Sequence, residues 1–236
     1  MKFPIFRKPK KQPLMEHAKL KNHVFATYMN LRLGIGVLVL LFPFALYLFG
    51  WAQDIQLQSS MSAYYYQGGQ FVSVRDLFVA NLMIIGIFLF LYKGYSAGEN
   101  IALNLAGISA ILVAFIPMAG PGEPAPAFSL HGFFAVGLFV CVAYVCFFHA
   151  SDTLKLLKNK EREEKLQSWY FGLGVAMLLA PLIAWFLTFV LQRPLVWTYI
   201  TEAIGMIVFA SYWILKGREL LETNAEMAAL LQQLET

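Results

Sequence analysis

The stretch 33–51, LGIGVLVLLFPFALYLFGW, decides the fold class because it contains no charged side chain. A helix needs roughly 20 predominantly apolar residues to cross the hydrocarbon core of a bilayer, so this stretch predicts a membrane-spanning helix. Pro43 lies inside it and predicts a kink that neighbouring helices must accommodate. The residues before the stretch lack the short apolar core of a signal peptide, and we therefore expect a retained membrane anchor.

Five further stretches are apolar enough to span a bilayer, namely 77–92, 101–118, 130–150, 169–191 and 195–215. The sequence therefore predicts an all-α fold, a polytopic membrane bundle of six transmembrane helices. Small residues recur at every fourth position of the third span, a pattern that lets another helix approach closely. These residues are Ala102, Ala106, Ala110 and Ala114. We expect Pro117 to end this span, and the following segment 120–126, GPGEPAP, predicts a loop.

The composition agrees with a membrane protein. Of the 236 residues, 59% are hydrophobic and only 14% are charged, whereas about 25% of the residues in a soluble domain are charged. These values argue against a disordered, a nucleic-acid-binding or a disulfide-stapled secreted chain. Cys141 and Cys146 lie five residues apart in an apolar run, where a helix points them to different faces, so we expect no disulfide.

The distribution of basic residues predicts the orientation in the membrane. If alternate connections face the same side, 16 of the 18 Lys and Arg residues share one side, and only Arg75 and Arg193 lie on the other. The positive-inside rule then places both termini in the cytoplasm and the loop 52–76 outside.

This topology divides the chain into three parts. We expect a basic cytoplasmic segment 1–30, a transmembrane domain 31–217 and a cytoplasmic amphipathic helix 218–236. In the last part, apolar residues repeat at intervals of seven, with Thr223 and Leu230 between them. This pattern fits either a short coiled coil or a helix that lies on its own protein. The repeating residues are Leu220, Met227 and Leu234.

Three ionisable side chains stand out on the predicted outer side, because a charge within a span is costly unless it is paired. Glu202 lies about 10 Å into the sixth span, Asp76 opens the second and His131 opens the fourth. They could form a pocket for a lipid headgroup, a metal ion or a basic side chain of a partner. They could also cap helix ends and bond one another, which is the favoured interpretation for Asp76 and His131. For Glu202 both interpretations stay open.

Two carboxylates and a histidine could ligate a divalent ion or carry acid–base chemistry on a lipid ester or amide. No catalytic motif such as H-E-x-x-H or G-x-S-x-G accompanies them in the sequence. His131 and His149 are 18 residues apart and so lie at opposite ends of one helix, which argues against a haem site. Snorkelling and capping explain the polar residues at the cytoplasmic span ends.

Three segments carry a resemblance to known proteins: LQSSMSAYYY at 57–66, RDLF at 75–78 and WILKG at 213–217. Through them the chain resembles a group of six-span bacterial inner-membrane proteins that have no established activity. The resemblance implies a multi-pass protein of the bacterial cytoplasmic membrane.

More distantly, the chain resembles the superfamily of alkaline ceramidases and adiponectin receptors. In those proteins Ser-x-x-x-His, an Asp and His-x-x-x-His together bind zinc. Ser62 and Asp76 match the serine and the aspartate, but Tyr66 replaces the first histidine, and Thr198 and Glu202 replace the paired histidines. The resemblance thus implies a hydrolase-like shell that has lost its zinc, unless another residue such as His131 supplies a ligand.

We expect a membrane protein that binds lipid, or another membrane protein or a second copy of itself, without catalysis. The alanine face of the third span favours a partner, and no nucleic acid is expected. No cofactor or metal is expected for this function. The alternative is a metal-dependent hydrolase acting on a lipid amide or ester in the outer leaflet, with zinc as its possible metal and Asp76, His131 and Glu202 in metal-binding or acid–base roles. The candidate site residues are Ser62, Tyr66, Asp76, His131 and Glu202.

Overall fold

The computed structural model describes residues 14–68, 72–120, 122–123, 126, 128–191 and 196–223. This part of the chain consists mainly of six α-helices and contains no strand. The helices are α1 (Leu14–Trp51), α2 (Val74–Leu91), α3 (Ala97–Phe115), α4 (Leu130–Phe148), α5 (Lys160–Phe189) and α6 (Val196–Thr223). Short 3₁₀ turns lie after α1 (Ser62–Tyr66) and after α4 (Leu154–Leu156).

All six helices are long and apolar enough to cross a membrane, which confirms the predicted six-span, all-α fold. Proline chemistry sets some of their geometry. Ile116 has an extended backbone because it precedes Pro117, and α3 therefore ends at Phe115. Pro43 and Pro181 lie inside α1 and α5, where a proline removes one backbone hydrogen bond.

The helices form a ring in chain order. Each helix packs against the next one, and α6 returns to pack against α1. Among the described residues, no connection contains a further helix long enough to cross a membrane, so successive helices run antiparallel and the ring has two ends. At the loop end α1, α3 and α5 finish and α2, α4 and α6 begin; at the terminal end the reverse holds. Three helices, α1, α5 and α6, extend beyond the predicted spans by eight residues or more, and all three do so at the terminal end.

Two glycines face each other at the contact between α2 and α3. A Cβ atom on Gly107 would lie 2.5 Å from the carbonyl oxygen of Gly86 and 2.8 Å from the backbone nitrogen of Phe90. Because such distances are too short for a real Cβ, only glycine lets these backbones touch. Helix packing in a membrane relies on such small residues.

The alanine face of α3 is turned into the bundle. Ala106, Ala110 and Ala114 are fully buried and Ala102 is nearly so. The face therefore serves packing within this chain, as its small side chains suggested. It is not available to a second protein, so it does not favour a partner, contrary to our expectation from the sequence.

The two ends of the chain continue the helical bundle. Helix α1 starts at Leu14, so the expected boundary at residue 30 falls inside an unbroken helix. Leu220 on α6 is fully buried and packs with Met29 of α1. The other positions of the heptad pattern, Met227, Leu230 and Leu234, lie outside the described residues. Both cysteines are free, as predicted.

Candidate functional site at the loop end

The connection between α1 and α2 folds back onto the bundle through the segment 59–66. The 3₁₀ turn Ser62–Tyr66 carries Tyr64, which is completely buried. Its ring lies against Gly50, where a Cβ would come within 2.9 Å of the ring. It also lies 6.1 Å from the ring of Tyr199, centroid to centroid, in an edge-to-face arrangement. Burial raises the pKa of the Tyr64 hydroxyl and so favours its neutral form.

Helix α6 fastens this segment through Glu202 and Tyr199. The Glu202 carboxylate accepts a 2.6 Å hydrogen bond from the backbone nitrogen of Met61. The backbone nitrogen of Tyr199 donates to the Ser59 carbonyl at 3.1 Å, and the Tyr199 hydroxyl donates to the Pro43 carbonyl on α1. Glu202 therefore holds backbone, as a hydrogen-bonded carboxylate inside a span should.

His131 on α4 joins the segment to the end of α3. Its Nδ1 lies 2.6 Å from the carbonyl oxygen of Ile116, and its Nε2 lies 2.9 Å from the Ser62 hydroxyl. A carbonyl oxygen can only accept, so Nδ1 carries the ring proton. In the neutral ring Nε2 is then an acceptor, and the Ser62 hydroxyl donates to it. The imidazole is buried, whereas Ser62 is half-buried.

The other two candidates have different roles. The Tyr66 hydroxyl donates to the carbonyl of Met118, close to the point where His131 is held. Asp76 forms a capping box with Ser73 at the start of α2: its backbone nitrogen donates to the Ser73 hydroxyl at 3.0 Å, and its carboxylate accepts from the Ser73 nitrogen at 3.2 Å. This is the capping role favoured from the sequence. Across the described ranges, Asp76 has no hydrogen bond to the other four candidates.

The structure thus brings together Ser62 and His131 by direct contact, Glu202 through the preceding residue, and Tyr66 through the chain after α3. The donor set does not fit a preformed zinc site. Both ring nitrogens of His131 already have hydrogen-bond partners, and zinc binding would have to displace one. Among the residues that the structure describes, no group of three or more His, Cys, Asp or Glu side chains could hold a metal ion.

A second polar cluster lies at the terminal end, for which no role was predicted from the sequence. Lys216 on α6 is buried, and its ammonium group donates at 2.6 Å to the Ala150 carbonyl, to the Thr153 hydroxyl and to the Glu219 carboxylate. Glu219 is equally buried and also accepts from the Tyr170 hydroxyl at 2.7 Å. We call Lys216, Glu219, Thr153 and Tyr170 the Lys216 cluster.

The Lys216 cluster is saturated. An ammonium group has three N–H donors, and all three have acceptors within the chain. The cluster therefore joins α6, α5 and the turn after α4, and it leaves no donor on Lys216 for a ligand. The sequence signal that could have identified it is the i,i+3 spacing of a lysine and a glutamate at the end of a span.

Arg32 and Glu99 are two further buried charges at the terminal end. The Arg32 guanidinium lies 4.9 Å from the ring centre of Tyr92 and 4.6 Å from that of Trp213, which is the range of cation–π contacts. Glu99 accepts a 2.7 Å hydrogen bond from the backbone nitrogen of Tyr95. The buried Arg32 and Lys216 are two of the 16 basic residues assigned to this side of the membrane. Without them, 14 basic residues are still assigned to this side and only two to the other, so the predicted orientation is unchanged.

No protein-family model, curated protein or solved structure matches the chain. The fold and the two polar clusters define the class of protein, a six-helix, multi-pass membrane protein. The Lys216 cluster is saturated, whereas the cluster around Ser62 and His131 is partly open because Ser62 is only half-buried.

Proposed function

We propose that the chain is a multi-pass protein of the bacterial inner membrane that binds a membrane lipid at its loop end, on the outer side. The single observation that carries this proposal is the setting of Ser62. This half-buried hydroxyl bonds His131 in the first turn of α4, where Leu130 and Phe133 are 60% and 69% exposed. A polar group bordered by exposed apolar side chains suits a headgroup with its acyl chains.

The orientation in the proposal rests on the charge distribution. The terminal end carries most of the basic residues, and the positive-inside rule places it in the cytoplasm. The loop end then faces the outer leaflet. Trp197 in the first turn of α6 is 56% exposed there, at the level where tryptophan favours the membrane–water interface.

Photo-crosslinking with lipid tests the proposal. The full chain is reconstituted into vesicles of phosphatidylethanolamine and phosphatidylglycerol that contain a phospholipid with a photoreactive headgroup, and crosslinked peptides are mapped by mass spectrometry. We expect the crosslinks to concentrate on peptides that contain residues 59–66 and 128–135. Crosslinks spread evenly along all six helices would contradict specific binding.

Helix α4 offers a matched pair of variants for this test, because it exposes one phenylalanine near each end. Phe133 is 69% and Phe148 is 63% exposed, so replacing either by serine leaves the core unchanged. We expect Phe133→Ser to lower the loop-end crosslinks several-fold and Phe148→Ser to leave them unchanged. Equal effects of the two variants would show that lipid contacts at the loop end are not special.

Association with another membrane protein, or with a second copy of the chain, is the second candidate function. It is favoured by α5, where only 17% of the most apolar window is buried inside the bundle, compared with 33% to 50% in the other five spans. Of the six spans, α5 therefore leaves the largest share of its most apolar stretch open to lipid or protein. Measurement of the molar mass of the detergent-solubilised chain by light scattering tests self-association, and a monomeric mass would contradict it.

A further inference from the structure

We propose that Ser62 and His131 form a nucleophile–base pair that hydrolyses an acyl ester of a membrane lipid. This inference rests on the proposed lipid binding at the same place and adds chemistry to it. It departs from the expectation of a protein without catalysis, and it needs no metal.

The tautomer of His131 supports the proposal. Nδ1 lies 2.6 Å from the Ile116 carbonyl oxygen, which fixes the ring proton on this nitrogen. The lone pair of Nε2 is therefore directed at the Ser62 hydroxyl oxygen, 2.9 Å away. A general base must lie within hydrogen-bond reach of the proton that it removes, with its other nitrogen oriented by a third group. Here a backbone carbonyl is the orienting group, as a carboxylate is in a serine triad.

Both partners are held by rigid structure. Ser129 caps α4 by accepting a 2.9 Å hydrogen bond from the Gly132 nitrogen, which fixes the turn that carries His131. On the other side, Glu202 holds Met61, the residue before Ser62. Tyr64, two residues after Ser62, anchors the chain there because its side chain is buried. Glu202 is thus a positioning residue. A site whose two members are fixed independently is preorganised for catalysis.

The exposure of the two residues suits the roles. His131 is only 7% exposed, so its base is shielded, whereas Ser62 is half-buried at the surface of the bundle. A lipid ester group in the interfacial region could therefore reach the Ser62 oxygen without entering the core, and water from the adjacent aqueous phase could follow.

The reaction has two balanced steps. In the first, the Ser62 oxygen forms a bond to the ester carbonyl carbon while its proton passes to Nε2 of His131; the bond from that carbon to the lipid alcohol oxygen breaks, and the alcohol leaves with the proton. In the second, water attacks the acyl-serine, gives one proton to Nε2 and releases the fatty acid. Ser62 recovers its proton from His131, and the net reaction is ester plus water to acid plus alcohol.

Labelling with a fluorophosphonate probe tests the pair, because such probes modify serines that a neighbouring base activates. The full chain is reconstituted in phosphatidylethanolamine–phosphatidylglycerol nanodiscs, treated with the probe and mapped by mass spectrometry. We expect modification of Ser62 in the wild-type chain and none at this position in Ser62→Ala. In His131→Gln we expect the labelling rate of Ser62 to fall at least about 100-fold, since a general base contributes about 10²- to 10⁴-fold. Labelling of other serines only, or none on folded protein, would overturn the proposal.

The control variant is Ser211→Ala. Ser211 is an exposed serine of α6 whose hydroxyl bonds only its own helix, through the Ile207 carbonyl, so we expect unchanged labelling of Ser62. Should Ser62→Ala fail to fold, Ser62→Cys keeps a nucleophile at this position, and its alkylation by iodoacetamide should slow when His131→Gln is added. An unchanged alkylation rate would overturn the pair.

Hydrolysis itself is measured with phosphatidylglycerol vesicles that contain a phospholipid with a fluorogenic acyl chain. We expect acid release by the wild-type chain and at least a 100-fold loss in Ser62→Ala. The failures are distinguishable: loop-end crosslinks without labelling or hydrolysis overturn the catalytic pair and leave lipid binding intact. Absence of the crosslinks contradicts lipid binding itself.

Discussion

Lys216 and Glu219 form an ion pair of 2.6 Å that is almost completely buried at the terminal end of α6. Buried ion pairs are stable only when hydrogen bonds satisfy both charges, and here Ala150, Thr153 and Tyr170 supply those bonds. The pair lies where three helices extend beyond the predicted spans. It therefore ties the end of α6 to α5 and to the turn after α4.

The first prediction concerns the loss of the cation. Lys216→Met leaves the Glu219 carboxylate buried and uncompensated, and we expect it to destabilise the bundle by about 3–5 kcal/mol. The measurement is thermal or denaturant unfolding in detergent. Arg218→Met is the control, because this neighbouring cation is exposed and should change stability little.

A double variant separates a lost charge from a lost contact. Adding Glu219→Gln to Lys216→Met removes the unpaired charge and keeps an oxygen that can accept from Tyr170. We expect part of the lost stability to return. If Lys216→Met alone unfolds like Arg218→Met, the buried pair does not hold the terminal end together.

The second prediction concerns the contact between α2 and α3. Gly107→Ala would place a Cβ 2.5 Å from the Gly86 carbonyl oxygen, and we expect the helices to separate at a cost of about 1–3 kcal/mol. Gly34→Ala is the matched control in α1, where nothing lies within 4 Å of the added atom. Since alanine favours helix more than glycine does, a Gly107→Ala variant as stable as Gly34→Ala would contradict this account.

The six spans could be predicted from the sequence because the length and hydropathy of a span are local properties. That Pro117 ends α3 could be predicted for the same reason, although the helix stops at Phe115, two residues before the proline. The continuation of α6 was predicted as an amphipathic cytoplasmic helix, whereas the long extension of α1 was not predicted, and no pattern showed how these extensions pack. Their residues are polar enough for an aqueous phase, and only packing such as that of Leu220 on Met29 reveals that they continue the bundle.

The candidate site was predictable in part. His131 and Glu202 could be selected as candidates because polar groups inside spans are costly. Ser62 was selected only because it matches a serine of a superfamily that the chain resembles. Their bonds depend on how the connection after α1 folds onto α4 and α6, which no local pattern specifies. Lys216 escaped notice for a similar reason: at the end of a span it looks like a snorkelling lysine, and only the turn after α4 closes over it.

The third prediction concerns the fastening of the segment 59–66. Glu202→Ala removes the acceptor of the Met61 nitrogen, and hydrogen bonds to charged groups contribute about 1.5–3 kcal/mol. We expect hydrogen exchange at the Met61 amide to accelerate by about 10- to 100-fold. Glu202→Gln keeps an oxygen that can accept the same bond and should retain most of the protection. Equal exchange in the two variants would show that the charge, rather than the hydrogen bond, holds the segment.

The fourth prediction separates Asp76 from the Ser62–His131 pair. Asp76→Ala removes the carboxylate half of the capping box with Ser73. We expect the free energy of unfolding to fall by about 1 kcal/mol, the typical cost of losing a helix cap. Because Asp76 bonds neither Ser62 nor His131 within the described residues, fluorophosphonate labelling of Ser62 should continue at the wild-type rate. Unfolding curves and the labelling rate are measured on the same preparation. A fall in the rate as large as that in His131→Gln would place Asp76 in the reactive site and return it to the role that its resemblance to a zinc-binding aspartate implied.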